Sequence, residues 1–231
     1  NRKKFFSFFR NGHLPDNRFQ CTIHLVSYLN SLKNPGCLCY LNSTLQLLFH
    51  LPAFRIFIDG FPSNESDKTP KPPLHLIEIK KFFSKMLHCE DCLESKSIAT
   101  NFGWPESAFN IQHDAAEFLY CLLTNIREIS SQTKTKTFDE LFMSELSVTS
   151  LNDPTKKLPN ERSLIFPLDC TEGPVADKLK KYLTSDGLVK KFVQFPKILF
   201  IQVNGSYQNF DQEIDLADQS TNQVQLPHSA Y

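Results

Sequence analysis

No run of apolar side chains in the 231 residues comes near the roughly 18 that a membrane-spanning helix needs, so no span is expected. Neither sign of charge is in excess. Twenty-five Lys and Arg face twenty-five Asp and Glu, which leaves nothing to favour nucleic acid or an anionic membrane as the main partner. Phe5, Phe6, Phe8 and Phe9 make the opening stretch apolar, but it is too short and too interrupted by Lys and Arg for a secretion signal. It begins with Asn rather than Met, which reads as a fragment or a processed end. Internal repeats and long low-complexity tracts are lacking, so a solenoid is not expected. The seven cysteines are odd in number and scattered, which argues against a secreted disulfide framework and for a reducing compartment, cytosol or nucleus. Only one Cys-x-x-Cys pair occurs, Cys89 and Cys92 beside His88, where a structural zinc usually takes two. The chain is expected to fold without metal or cofactor.

What is present is a chain long enough for one large domain or two small ones, with twenty-one Phe to fill an apolar interior. Residues 42–50 read as a helix that stops before Pro52. Residues 74–87 place Leu74, Ile77, Phe82, Met86 and Leu87 near helical spacing and leave Lys80, Lys81 and Lys85 for water. Between them, residues 61–73 are rich in Ser, Asn, Lys and Pro and read as an exposed loop. A third helix follows Asp114, with Phe118, Leu119, Leu122, Leu123, Ile126 and Ile129 as its apolar stripe. After Thr137 the character changes, and residues 146–148, 163–168 and 197–203 are short β-prone runs broken by Pro, Gly and Asn. Helices first and strands second predict an α+β fold.

Two stretches carry chemistry. The first is Asn34-Pro35-Gly36-Cys37-Leu38-Cys39-Tyr40-Leu41-Asn42-Ser43-Thr44-Leu45-Gln46. Cys39 stands where a turn enters an apolar helix, and the unpaired N–H groups and positive dipole end there favour a thiolate. Asn34, five residues upstream across a Gly-containing turn, could fold back and donate to a developing oxyanion, a contribution on the order of 10²–10³ in rate. A cysteine in that place also reads as a small buried apolar residue. The second stretch runs from Phe102-Gly103-Trp104 to Gln112-His113-Asp114-Ala115-Ala116-Glu117-Phe118-Leu119. Asp114 opens a helix there, where a carboxylate caps free N–H groups. His113 reads as a packing residue and Glu117 as a support of the fold.

The first stretch resembles the Cys box of the ubiquitin-specific proteases, approximately Asn-x-Gly-x-Thr-Cys-Tyr-x-Asn-Ser-x-Leu-Gln. Asn34, Gly36, Cys39, Tyr40, Asn42, Ser43, Leu45 and Gln46 match it, and Pro52 with Arg55 continues it. Leu38 stands in place of the usual Thr, and Cys37 lies two positions too early to be the nucleophile. The second stretch resembles the same family's Gln-x-Asp-x-x-Glu-Phe-Leu signature. Phe195-Pro196-Lys197-Ile198-Leu199-Phe200-Ile201-Gln202-Val203 is similar to its central palm strand, although Asn204-Gly205-Ser206 replaces the usual Lys-Arg-Phe after it.

The resemblance covers roughly residues 30–231 and leaves residues 1–29 as an N-terminal extension. It implies a papain-like fold with a helical thumb over about residues 30–135, and reduced fingers and a β-rich palm over about 136–231. It implies thiol-dependent hydrolysis of isopeptide bonds at the C-terminus of ubiquitin or a ubiquitin-like modifier, with the modifier and its conjugates as partners. Cys39 would be the nucleophile and Asn34 the oxyanion donor, with Gln112 and Asp114 contacting the modifier's tail. Such an enzyme needs a His base and an orienting Asp or Asn. The family's Gly-His-Tyr is lacking, and the one late His, His228, sits in a context more like the segment before a later strand. The domain is therefore expected to be incomplete at its C-terminal end. The alternatives are a catalytically silent module that binds ubiquitin or scaffolds a complex, and a small metal-binding domain built on His88, Cys89 and Cys92.

Overall fold

A computed structural model describes residues 4–9, 18–21, 32–61, 73–88, 92–130, 132–169, 173–204 and 213–221. Along the chain the elements are β1 (Lys4–Phe9), β2 (Arg18–Cys21), β3 (Leu32–Lys33), α1 (Cys39–Phe49), α2 (Pro52–Asp59), α3 (Leu74–His88), β4 (Leu93–Glu94), α4 (Lys96–Asn101) and α5 (Ala115–Ile129). Then come α6 (Gln132–Phe142), β5 (Ser144–Ser150), β6 (Lys157–Ser163), β7 (Ile165–Asp169), α7 (Val175–Leu183), β8 (Leu188–Gln194), β9 (Ile198–Asn204) and β10 (Glu213–Asp215). The mixture is α+β, as the sequence predicts. Two units divide it: His24–Ser130 carries the helices α1 to α5, and Asn1–Ile23 with Ser131–Tyr231 carries most of the strands.

In the helical unit, α1 begins at Cys39, three residues earlier than the apolar pattern suggested. Pro52 does more than stop it. With Leu51 extended as N-cap, Pro52 opens α2, where its missing N–H would be unpaired anyway. That helix was not foreseen. The bounds of α3 agree with expectation but its buried face does not: Leu74 and Leu87 are 65% and 57% exposed. The inward stripe is His75, Leu76, Ile79, Phe82, Phe83 and Met86, a true three-and-four spacing that the end residues fall outside. Lys80 was expected in water. Its ammonium instead donates to the carbonyls of Asp59 (2.7 Å) and Phe61 (3.1 Å), neutralising the carbonyl end of α2. The stripe of α5 is buried as foreseen from Phe118 to Ile126, whereas Ile129, in the last turn, is exposed. Of the loop expected at 61–73, residues 62–72 lie outside the described residues.

In the strand-rich unit, β9 is paired on both sides, parallel to β7 and antiparallel to β1. The sheet runs β10-β2-β1-β9-β7. Ile198, Leu199, Phe200, Ile201 and Val203 are all buried, as a strand covered on both faces requires. Phe142 of α6 stacks on Phe200 at 5.9 Å, and Leu179 and Leu183 of α7 join the core with Phe166, Leu168 and Phe192. A second sheet, β6-β5-β8, is antiparallel throughout. Residues 4–9 and 18–21, read from the sequence as an extension, pair within the larger sheet, which suits a Phe-rich segment of high β-propensity.

Candidate active site

The site is built in the helical unit, on the turn that leads into α1. Asn34 folds back over that turn, and its Oδ1 accepts the Leu38 N–H at 3.0 Å. Because a backbone N–H must face an oxygen, this bond fixes the amide's orientation. Nδ2 is then the donor end, held beside the residue that precedes Cys39. Leu38 is fully buried, so the departure from Thr at this position supplies core packing, while its backbone takes the hydrogen bond that shapes the turn. Its carbonyl accepts the Asn42 N–H at 2.9 Å and starts the helix. Cys39 is the first helical residue, and it is exposed.

A short 3-10 turn, Glu106–Asn110, supports this loop from behind. The Cys37 N–H donates to the Phe109 carbonyl at 2.7 Å, and a Cβ on Gly36 would lie only 2.7 Å from the same oxygen. Gly36 is therefore required by close backbone approach. Gly36→Ala should cost about 1–3 kcal/mol through overpacking, and should slow modification of Cys39 by an electrophile more than it weakens modifier binding. Denaturant titration together with labelling rates checks this; an unchanged labelling rate would show that the turn tolerates the shift.

The second stretch meets the first through an aromatic cluster. Gly103, at φ +94°, reverses the chain between Phe102 and Trp104 so that both rings pack inward. Trp104 stacks on His113 at 5.0 Å, and Tyr40 contacts Trp104, His113 and Phe118 at 5.2–5.9 Å. His113 is thus a packing residue, as read from the sequence. Burial, with the Cys39 charge adding to it, pushes the Tyr40 hydroxyl up to about 12, so this neighbour of Cys39 stays neutral at physiological pH. The Thr44 hydroxyl lies 2.9 Å from the Tyr40 carbonyl and 3.4 Å from that of Ala115, tying α1 to the start of α5.

At that start, Asp114 is the N-cap, and its Oδ1 accepts the Ala116 N–H at 2.8 Å. Gln112, two residues before it, is exposed. Cys39, Asn34, Gln112 and Asp114 therefore all lie in the helical unit, at or just before the N-terminal ends of α1 and α5, which the Thr44 hydroxyl ties to each other. Sequence reasoning overlooked Phe109 and Thr44, since a carbonyl acceptor and a buried hydroxyl leave no motif.

His88 ends α3 and Cys92 is exposed, while Cys89, Cys170 and His228 lie outside the described residues. Among the described residues no group of three His, Cys, Asp or Glu could hold a metal ion.

The sequence model of the ubiquitin carboxyl-terminal hydrolase family matches residues 30–230. The chain belongs to that family. Cysteine-type deubiquitination is the family's known activity. Among the relatives, ubiquitin C-terminal hydrolase 12 of Arabidopsis thaliana is 33% identical over 113 residues, 48% of this chain and 10% of that protein. Ubiquitin carboxyl-terminal hydrolase 7 of Caenorhabditis elegans is 27% identical over 199 residues, 74% of this chain and 17% of that protein. Ubiquitin C-terminal hydrolase 13 of Arabidopsis thaliana is 37% identical over 87 residues, 37% of this chain and 8% of that protein. The chain thus spans less than a fifth of the length of these relatives.

Proposed function

We propose that this chain carries the nucleophile-bearing part of a cysteine-type deubiquitinase that hydrolyses the isopeptide bond between the C-terminal Gly of ubiquitin, or of a ubiquitin-like modifier, and a lysine. The observation that carries the reading is the Cys39 turn: an exposed thiol at the first residue of α1, with the Asn34 amide pinned by its oxygen to the Leu38 N–H. In this mechanism the Cys39 thiolate adds to the carbonyl and Nδ2 of Asn34 donates to the oxyanion. The lysine amine leaves with a proton, and water then hydrolyses the thioester. A histidine base takes the thiol proton and returns it to the departing amine. Release of a fluorophore from the C-terminus of ubiquitin tests the activity, and binding without release would favour a silent module.

Gln112 and Asp114 are the proposed contacts for the modifier's tail, where a carboxylate pairs with an arginine. Asp114→Ala should lower stability by about 1–2 kcal/mol, the scale of a lost cap. It should also weaken ubiquitin binding roughly ten- to a hundredfold, since a charge-assisted bond contributes about 1.5–3 kcal/mol. Calorimetric titration and thermal melting separate the two effects. Unchanged binding with lowered stability would leave Asp114 as a cap and nothing more. A cytosolic or nuclear location is supported by Cys37, Cys39 and Cys121, which are free thiols.

A further inference from the structure

We infer that Ser95 is a positioning residue for the reaction, acting through Asn42 on the segment that holds the oxyanion donor; the inference rests on the reading of Asn34 as that donor. Ser95 is the N-cap of α4, the place where a serine hydroxyl ordinarily accepts an N–H of the first turn. Here it makes no such bond. The side chain is completely buried, and its hydroxyl donates to Oδ1 of Asn42 at 2.5 Å. The other end of that amide is also engaged: Nδ2 of Asn42 donates to the Lys33 carbonyl at 3.0 Å. That carbonyl belongs to the peptide plane that leads into Asn34.

Strand register makes the arrangement specific. β3 and β4 are parallel, with Leu32 opposite Leu93 and Lys33 opposite Glu94. Asn34 and Ser95 are therefore the next residues on the two strands. The Asn42 side chain, from the first turn of α1, spans both strand ends. One buried hydroxyl thus fixes an amide that holds the strand end carrying Asn34, on the helix that carries Cys39. A serine whose capping capacity is diverted into a polar chain running through Asn42 to the Lys33 carbonyl gives its helix little; its yield is the placement of Nδ2 of Asn34.

The test is transfer of ubiquitin from a C-terminal thioester to Cys39. The Cys39 thiolate adds to the thioester carbonyl, the oxyanion forms, and the original thiolate departs as a new thioester forms. The departing thiolate needs no proton, so the step needs no histidine. Alkylation of Cys39 by iodoacetamide, which displaces iodide and forms no oxyanion, is measured alongside by peptide mass mapping. Ser95→Ala should slow transfer about three- to tenfold and Asn34→Ala by more, on the order of the 10²-fold loss of an oxyanion donor, with alkylation within about twofold for both. In the double variant Ser95→Ala should add nothing to Asn34→Ala. Asn42→Asp, which keeps the acceptor for Ser95 but removes the donor to Lys33, should behave as Ser95→Ala does and serves if that variant fails to fold. Alkylation falling in parallel with transfer, or losses that multiply in the double variant, would overturn the inference. Transfer untouched by Asn34→Ala would overturn the oxyanion reading, and this one with it; no transfer to the unsubstituted chain would overturn the nucleophile itself.

Discussion

Cys39→Ala should abolish both hydrolysis of a ubiquitin conjugate and covalent capture by ubiquitin carrying a C-terminal electrophile. Removing a nucleophile that acts as a unit with its base is worth on the order of 10⁴–10⁶ in rate, far beyond any packing effect at an exposed position. Other thiols are accessible, but their settings differ. Cys37 is half-buried in a turn whose N–H is already given to Phe109. Cys92 precedes the two-residue strand β4, and Cys121 lies on the exposed side of α5. Among the described cysteines, only Cys39 combines exposure with the free N–H groups of a long helix's first turn. Mass mapping of the adduct decides the matter. An adduct on Cys37, or capture that survives in Cys39→Ala, would remove Cys39 from the role.

The base accounts for the second large effect. Residues 1–231 should bind ubiquitin yet hydrolyse its conjugates poorly, because the Gly-His-Tyr of the family is lacking and His113, packed against Tyr40, has its ring stacked on Trp104. General-base assistance is typically worth on the order of 10²–10⁴ in rate. A chain that continues past Tyr231 and supplies a histidine and its orienting acid should recover that factor. Comparing fluorogenic turnover by the two chains and by His228→Ala checks it. Full activity of the shorter chain, lost on His228→Ala, would assign the base to His228. Inactivity of both, with binding intact, would favour a silent binding module.

The sequence made the site's motifs readable because each is set by local chemistry. A Gly-containing turn before an apolar helix placed Cys39, and an acid before the next helix placed Asp114 as its cap. What could not be read was cooperative. The inward face of α3 depends on which neighbours cover it, so Leu74 and Leu87 kept helical spacing yet ended in water. Lys80 looked like a solvated charge because its acceptors, the carbonyls of Asp59 and Phe61, are made available only by the end of α2. Phe109 and Ser95 act on the turn before Cys39 and on α1 from more than 50 residues downstream, through a carbonyl and a hydroxyl that carry no pattern of their own. The strand at residues 4–9 escaped notice for the same reason, since its partner lies near the other end of the chain.

That last pairing bears on how the protein is made. Lys4 sits opposite Val203 and Phe9 opposite Ile198, so this edge of β1, whose other edge meets β2, waits for nearly two hundred more residues to be made before β9 exists. At about 5–20 residues per second, the wait is on the order of ten to forty seconds. In that interval the whole helical unit, residues 24–130, emerges with contacts of its own and can fold first, as an insertion in the sequence of the other. The Phe-rich segment 4–9 meanwhile offers an unpaired edge. Chaperone demand and aggregation during synthesis should therefore concentrate on the strands at residues 4–9 and 18–21, while the part bearing Cys39 is the earlier to reach its native form.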